Sequence, residues 1–163
     1  RFHPAGRPGR GGPVMSGALP LRQLYRSGGP WEDIFGYSRA IRTGDRIIVS
    51  GCTAVVDGAV RCQGDAGAQM RLALDQAIDA VTELGGSLGD VIRTRIYVVN
   101  RAHCDAVGRA HGERFADVQP AATMILVAGL LDAEMLVEVE AEARVRSARP
   151  FHHHGPDEHQ EPA

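Results

Sequence analysis

The sequence predicts an α+β domain in which a mixed β-sheet carries two helices on one of its faces. Three observations predict it. Residues 65–84 repeat apolar side chains every three or four positions, the period of an α-helix. Residues 90–98 and 136–145 alternate every second position, the period of a strand. Strand-like and helix-like segments also interleave, and each strand, helix, strand passage implies a parallel pair, which puts both helices on the same side.

Taken in order, the first strands fall at 37–42 and 46–50, joined by Thr43, Gly44 and Asp45, where glycine accepts the positive φ of a tight hairpin. Asp57-Gly58 makes a second turn between 53–56 and 59–62. Met70, Leu74, Ala77, Val81 and Leu84 form the stripe of the first helix, with Asp65 placed to cap it and Gly85-Gly86 to end it. In the next strand Ile92, Thr94, Ile96 and Val98 make an apolar face, and Arg93, Arg95, Tyr97 and Val99 oppose them. A shorter helix at 103–115 places Ala106, Val107, Ala110 and Arg114 at helical spacing. Residues 121–130 read as a buried strand by length and composition. In the last strand Val137, Val139, Ala141, Ala143 and Val145 share one face and Glu138, Glu140, Glu142 and Arg144 the other. The helix-free face therefore collects arginines, a tyrosine and three glutamates, and such a face is either solvated or turned toward a partner subunit.

The chain has 163 residues, 44% of them hydrophobic, with a formal net charge of -2, which fits one domain. That charge argues against a nucleic-acid binder, because holding a phosphate backbone needs a clustered cationic excess. The longest mostly apolar run, 121–131, is short of the roughly 18–20 residues that cross a bilayer, so no membrane partner is expected. All 18 basic residues are arginine, which excludes a lysine Schiff base and a phosphate-loop lysine. Cys52, Cys62 and Cys104 are odd in number and lack C-x-x-C spacing, so a reducing cytoplasm is the natural compartment.

Residues 1–19 are rich in Gly, Pro and Arg and read as a disordered extension. The chain opens on Arg1, and Met15 precedes the first ordinary sequence, so the upstream part reads as a translation-start extension or a remnant of cloning. Residues 148–163, with His152, His153, His154 and His159 among acids and prolines, read as a second tail and not as a metal site. The folded domain is expected at 20–147. No portable catalytic motif is present, so the chemistry must come from a dispersed site. His111, one turn after Gly108, is either a packed histidine or a polar group reaching over the sheet edge. Arg95 is expected to pair with Glu138 or Glu140, and Glu138 either orients a water or belongs to a solvated acidic stripe.

Four segments in order carry a resemblance: YSRAIRTGDRIIVSG at 37–51, LGDVIRTRIYV at 88–98, QPAATM at 119–124 and VEVEAEA at 137–143. Together they resemble the RidA family, also called YjgF, over residues 34–146. The resemblance implies a chorismate-mutase-like subunit assembled as a homotrimer, with ligand clefts between adjacent subunits. It also implies hydrolysis of reactive enamines and imines such as 2-aminoacrylate to keto acids and ammonia, with no metal or cofactor. Carried over residue by residue, Tyr37 matches the aromatic wall, Ser50 and Gly51 the strand-end backbone contact, and Glu138 the acid that orients water. The family's carboxylate-gripping arginine does not carry over: where that branch reads Pro-Ala-Arg-Ser, this chain has Pro120-Ala121-Ala122-Thr123, and Gly108 replaces a polar helix residue.

The expected function is thus a small-molecule hydrolase of the enamine or imine deaminase type with an altered substrate. Arg95, or Arg26 of a neighbouring subunit, replaces the lost charge, or the cleft takes an uncharged molecule on Thr123, His111 and Glu138; the second is preferred because Ala122 leaves the cleft roomier and less cationic. The alternative is a non-catalytic trimer that holds a metabolite or a client. Ribonuclease activity, attached to some relatives, is disfavoured by the net charge of -2.

Overall fold

A computed structural model describes residues 22–145; the two predicted tails lie outside these residues. The chain runs through β1 (Gln23–Tyr25), α1 (Pro30–Phe35), β2 (Ala40–Thr43), β3 (Arg46–Cys52), β4 (Val55–Val56), β5 (Ala59–Val60), α2 (Ala66–Glu83), β6 (Val91–Val98), α3 (Cys104–Phe115), β7 (Ala121–Leu126) and β8 (Val137–Arg144). Six strands form one sheet in the order β1-β2-β3-β8-β6-β7, and β4 and β5 form a separate small hairpin. Only the β6–β7 pair is parallel; the other pairs in the large sheet are antiparallel. β8 lies between β3 and β6, so those two strands run parallel without touching, with α2 as their connection.

Local chemistry accounts for most boundaries. Gly44 adopts φ 60 in the β2–β3 turn, and Asp57 and Gly58 both take positive φ between β4 and β5, as a two-residue hairpin turn demands. The Asp65 carboxylate accepts the Ala68 N–H at 2.9 Å, capping α2. At the other end Gly85 turns the chain with φ 80, and the Arg42 guanidinium covers the freed Leu84 carbonyl at 2.7 Å. The core lies between sheet and helices: Ile47, Val49, Ile96, Val98, Val137 and Val139 meet Met70, Leu74 and Val81 of α2 and Val107 and Phe115 of α3. Alanines at 66, 73, 77 and 80 line the same face of α2, and their small side chains let the helix lie close on the sheet.

Three expectations need correction. Ile92 is 48% exposed, because an irregularity between Val91 and Arg93 turns Val91 inward in its place. The strand predicted as buried is the outermost of the sheet: β7 is exposed along its length and ends at Leu126. The strand predicted at 37–42 begins only at Ala40, which leaves Tyr37, Ser38 and Arg39 in a connecting segment. Among the described residues no helix is long and apolar enough to cross a membrane.

Candidate active site on the helix-free sheet face

Alternation along β8 buries Val137, Val139, Ala141 and Ala143 under the helices and directs Glu138, Glu140 and Glu142 to the opposite face. Across the ladder Tyr97 stands beside Glu138 and Arg95 beside Glu140. Arg95 pairs with Glu140 at 3.3 Å and Glu142 at 3.5 Å, and Tyr97 donates its hydroxyl to Glu140 at 3.2 Å. Glu142 is held further by Arg46 at 2.9 Å. Glu138 takes part in none of these ion pairs.

Gly51 explains where the Glu138 carboxylate goes. A β-carbon on Gly51 would lie 1.7 Å from Glu138 Oε1 and 2.7 Å from its Cδ, so the carboxylate occupies space that any other residue would fill. Burial pushes the Glu138 carboxyl above its ordinary range and Glu140 adds to this, while Arg39 opposes both. A carboxyl of that kind is suited to taking up and returning a proton.

The remaining predicted residues divide by location. Ser50 is engaged internally, donating its hydroxyl to the Ser38 carbonyl at 2.8 Å and its N–H to the Arg39 carbonyl at 2.9 Å. These bonds tie the segment bearing Tyr37 to β3; Tyr37 itself is half-buried and donates its N–H to the Glu32 carbonyl at 3.1 Å. Thr123 is in register with Arg95 on the same sheet face, but at the outer edge. Two strand spacings, about 10 Å, separate it from β8, so one chain does not bring it to Glu138. His111 lies on the other face: its Nε2 is 2.9 Å from Thr94 Oγ1 beneath the sheet and its ring packs on Phe115 at 4.7 Å. Ala122 is the register partner of that same Thr94. Arg26 is held by Asp33 at 2.5 Å and Glu32 at 3.5 Å of its own chain. Two surface grooves among the described residues, about 580 Å³ beside Arg42 and Leu84 and about 260 Å³ between α2 and α3, lie away from Glu138.

Comparison with known proteins agrees with this architecture. Residues 31–145 match the family model described as Endoribonuclease L-PSP. The chain is 38% identical to the crystal structure of Rv2704 from Mycobacterium tuberculosis, a YjgF/YER057c/UK114 family member, with a TM-score of 0.69 over 76% of this chain and 99% of that one. The chain belongs to the YjgF/RidA family. It is also 43% identical to an uncharacterised protein of Streptomyces coelicolor, over 72% of this chain and 88% of that protein. The 3-aminoacrylate deaminase RutC of Acinetobacter baylyi is 33% identical over 82 residues, 50% of this chain and 64% of RutC.

Within this YjgF/RidA subunit the sequence reading missed Arg39 and Glu32. The Arg39 guanidinium donates to the Gly51 carbonyl and to Cys52 Sγ, directly behind the Glu138 seat. Glu32 is 1% exposed and accepts from the Ser27 N–H at 3.0 Å and hydroxyl at 2.8 Å. Burial raises the Glu32 carboxyl, but the two bonds from Ser27, the nearby Gly28 backbone and the charge of Arg39 outweigh it and hold it below its ordinary range. The sequence signal for both residues is a charge in a short segment flanked by glycines, and neither belongs to a period.

Proposed function

We infer that the chain is a cofactor-independent hydrolase of small imines or enamines, working at a cleft that a neighbouring copy completes in a homotrimer. Glu138 is its catalytic residue. Tyr37, Ser50 and Gly51 form one wall, and the β7 margin of the next copy, with Thr123 on one face and His111 beside Ala122 on the other, forms the second. Arg95 holds the acidic face between them. An enamine first takes a proton at its β-carbon and becomes the imine; water adds to the C=N carbon as Glu138 accepts its proton and returns it to nitrogen, and the carboxylate then moves the adduct's hydroxyl proton to the same nitrogen, which leaves as ammonia as the carbonyl forms. The carrying observation is the half-buried Glu138 carboxyl, which is seated on Gly51 and left out of the ion pairs around it.

The substrate in this reading lacks a carboxylate. Arg95 is already shared by two glutamates, Arg93 is exposed beside Glu142, Arg39 is engaged with the Gly51 carbonyl, and Ala122 presents only a methyl group. A carboxylate buried there would lose hydrogen bonds to water without a charged partner, at a cost of about 1–3 kcal/mol or more. Three cysteines without disulfides suit a reducing cytoplasm. The test is a panel assay with the full chain, in which a dehydratase supplies 2-aminoacrylate and 2-iminobutanoate and an amine oxidase supplies imines without a carboxylate. Ammonia release is expected to accelerate only with the second group, and Glu138→Gln is expected to lower it by about 10²–10⁴-fold. Unchanged turnover in Glu138→Gln would remove Glu138 from the reaction.

A further inference from the structure

We propose that Arg39 is a positioning residue that fixes the Gly51 seat of Glu138 and places a cation behind that seat. The inference rests on the reading of Glu138 given above for its functional meaning, but its geometry is independent of turnover. Arg39 immediately precedes β2, and the neighbouring β2–β3 ladder brings it beside the end of β3. Its Nη1 donates to the Gly51 carbonyl and to Cys52 Sγ at 3.5 Å, so one guanidinium holds two consecutive residues. The β3–β8 register shifts between Val49 and Cys52, which removes regular ladder bonding from Gly51. The arginine thus stabilises the strand where the ladder does not.

The bare α-carbon of Gly51 makes room for the Glu138 carboxylate, and anchoring the Gly51 carbonyl keeps that room in place. The charged and titratable groups around Glu138 come from four sides. Glu140 lies on its own strand, Tyr97 and Arg95 on β6, the Cys52 thiol on β3, and Arg39 ahead of β2. Arg95 is committed to Glu140 and Glu142. Arg39 is therefore the cation that lowers the Glu138 carboxyl against burial and Glu140. An arginine suits the position because its planar fork donates to fixed acceptors while its charge acts through space.

The experiment is a pH titration of the full chain, labelled at the glutamate carboxyl carbons and read by NMR, with the Glu138 signal assigned by its absence in Glu138→Gln. In Arg39→Met the Glu138 midpoint is expected to move to higher pH, and in Arg39→Lys, which keeps the charge, to stay near that of the parent. An unchanged midpoint in folded Arg39→Met, or an equal shift in Arg39→Lys, would overturn the proposal; a purely structural role lowers the melting temperature without moving the midpoint. Should Arg39→Met not fold, Arg39→Gln carries the test: its amide keeps a donor toward the Gly51 carbonyl but carries no charge, so the midpoint is expected to rise as in Arg39→Met, and an unchanged midpoint there would equally overturn the proposal. No substrate enters the titration, so absent turnover in the panel assay sinks the hydrolase reading and leaves this result standing.

Discussion

Glu138 and Glu32 are both carboxylic acids removed from water, yet their surroundings drive them in opposite directions. Glu138 meets no hydrogen-bond donor strong enough to offset burial and the neighbouring Glu140, so its carboxyl rises above the ordinary value of 4.5. A group whose folded pKa is raised contributes stability that is fully present below its unfolded pKa and lost as pH climbs through the folded one. Glu138→Gln is therefore expected to flatten the decline in stability above about pH 4.5, and urea unfolding across pH 4–8 checks it. Glu32 shows the opposite sign, since Ser27 donates to it twice and, with the nearby Gly28 backbone and the charge of Arg39, holds it low. Its stabilisation is present above the ordinary carboxylate range and lost as pH falls through its depressed value. Ser27→Ala removes a 2.8 Å bond to a carboxylate that is 1% exposed. It is expected to cost about 1–3 kcal/mol, measured by thermal unfolding near pH 7.

At the scale of elements, the junction of α3 with β6 rests on one polar contact inside an apolar layer. Thr94 is fully buried and its hydroxyl meets His111 Nε2 at 2.9 Å. Burial lowers the His111 pKa, so the neutral ring belongs to the folded state and its contribution is lost as pH falls below about 6.5. Thr94→Val is expected to cost about 1–3 kcal/mol at pH 8 by leaving the imidazole nitrogen without its partner. His111→Gln is expected to remove the loss of stability between pH 6.5 and 5; unfolding at both pH values checks the pair. This contact also marks the limit of what the sequence discloses. The period of α2 and the alternation of β8 each repeat one burial choice many times, so both elements and the acidic face are legible from the order of residues alone. β7 shows only that it is apolar, and an apolar strand looks alike at the centre of a sheet and at an edge that another surface covers. β1 and α1 span three and six residues, too short for a period, although Pro30 and the flanking Gly29 and Gly36 are helix punctuation. The Arg39–Gly51 and Thr94–His111 contacts join residues 12 and 17 positions apart across different elements, and no local pattern encodes them.

At the scale of the whole molecule, the single chain leaves Met124, Ile125 and Leu126 at 37%, 45% and 44% exposed on a strand whose outer edge has no partner among the described residues. An apolar open edge of this kind aggregates unless something covers it, and in the proposed trimer a second copy does so. Ile125 is in register with Tyr97 on the helix-free face. Ile125→Glu is therefore expected to yield single copies in sedimentation, with turnover lost along with assembly. A sharper test asks whether two copies build one site. Glu138→Gln disables one wall and Thr123→Trp fills the other, so each variant alone is expected to assemble normally and remain inactive. In co-expressed mixtures, a cleft that joins Glu138 of a Thr123→Trp copy to Thr123 of a Glu138→Gln copy has both walls intact. With random assembly from equal amounts, roughly a quarter of the clefts are of that kind, and about a quarter of the parent turnover should return. If instead Glu138 and Thr123 acted within one subunit, every mixed trimer would stay inactive, because no single copy carries both residues.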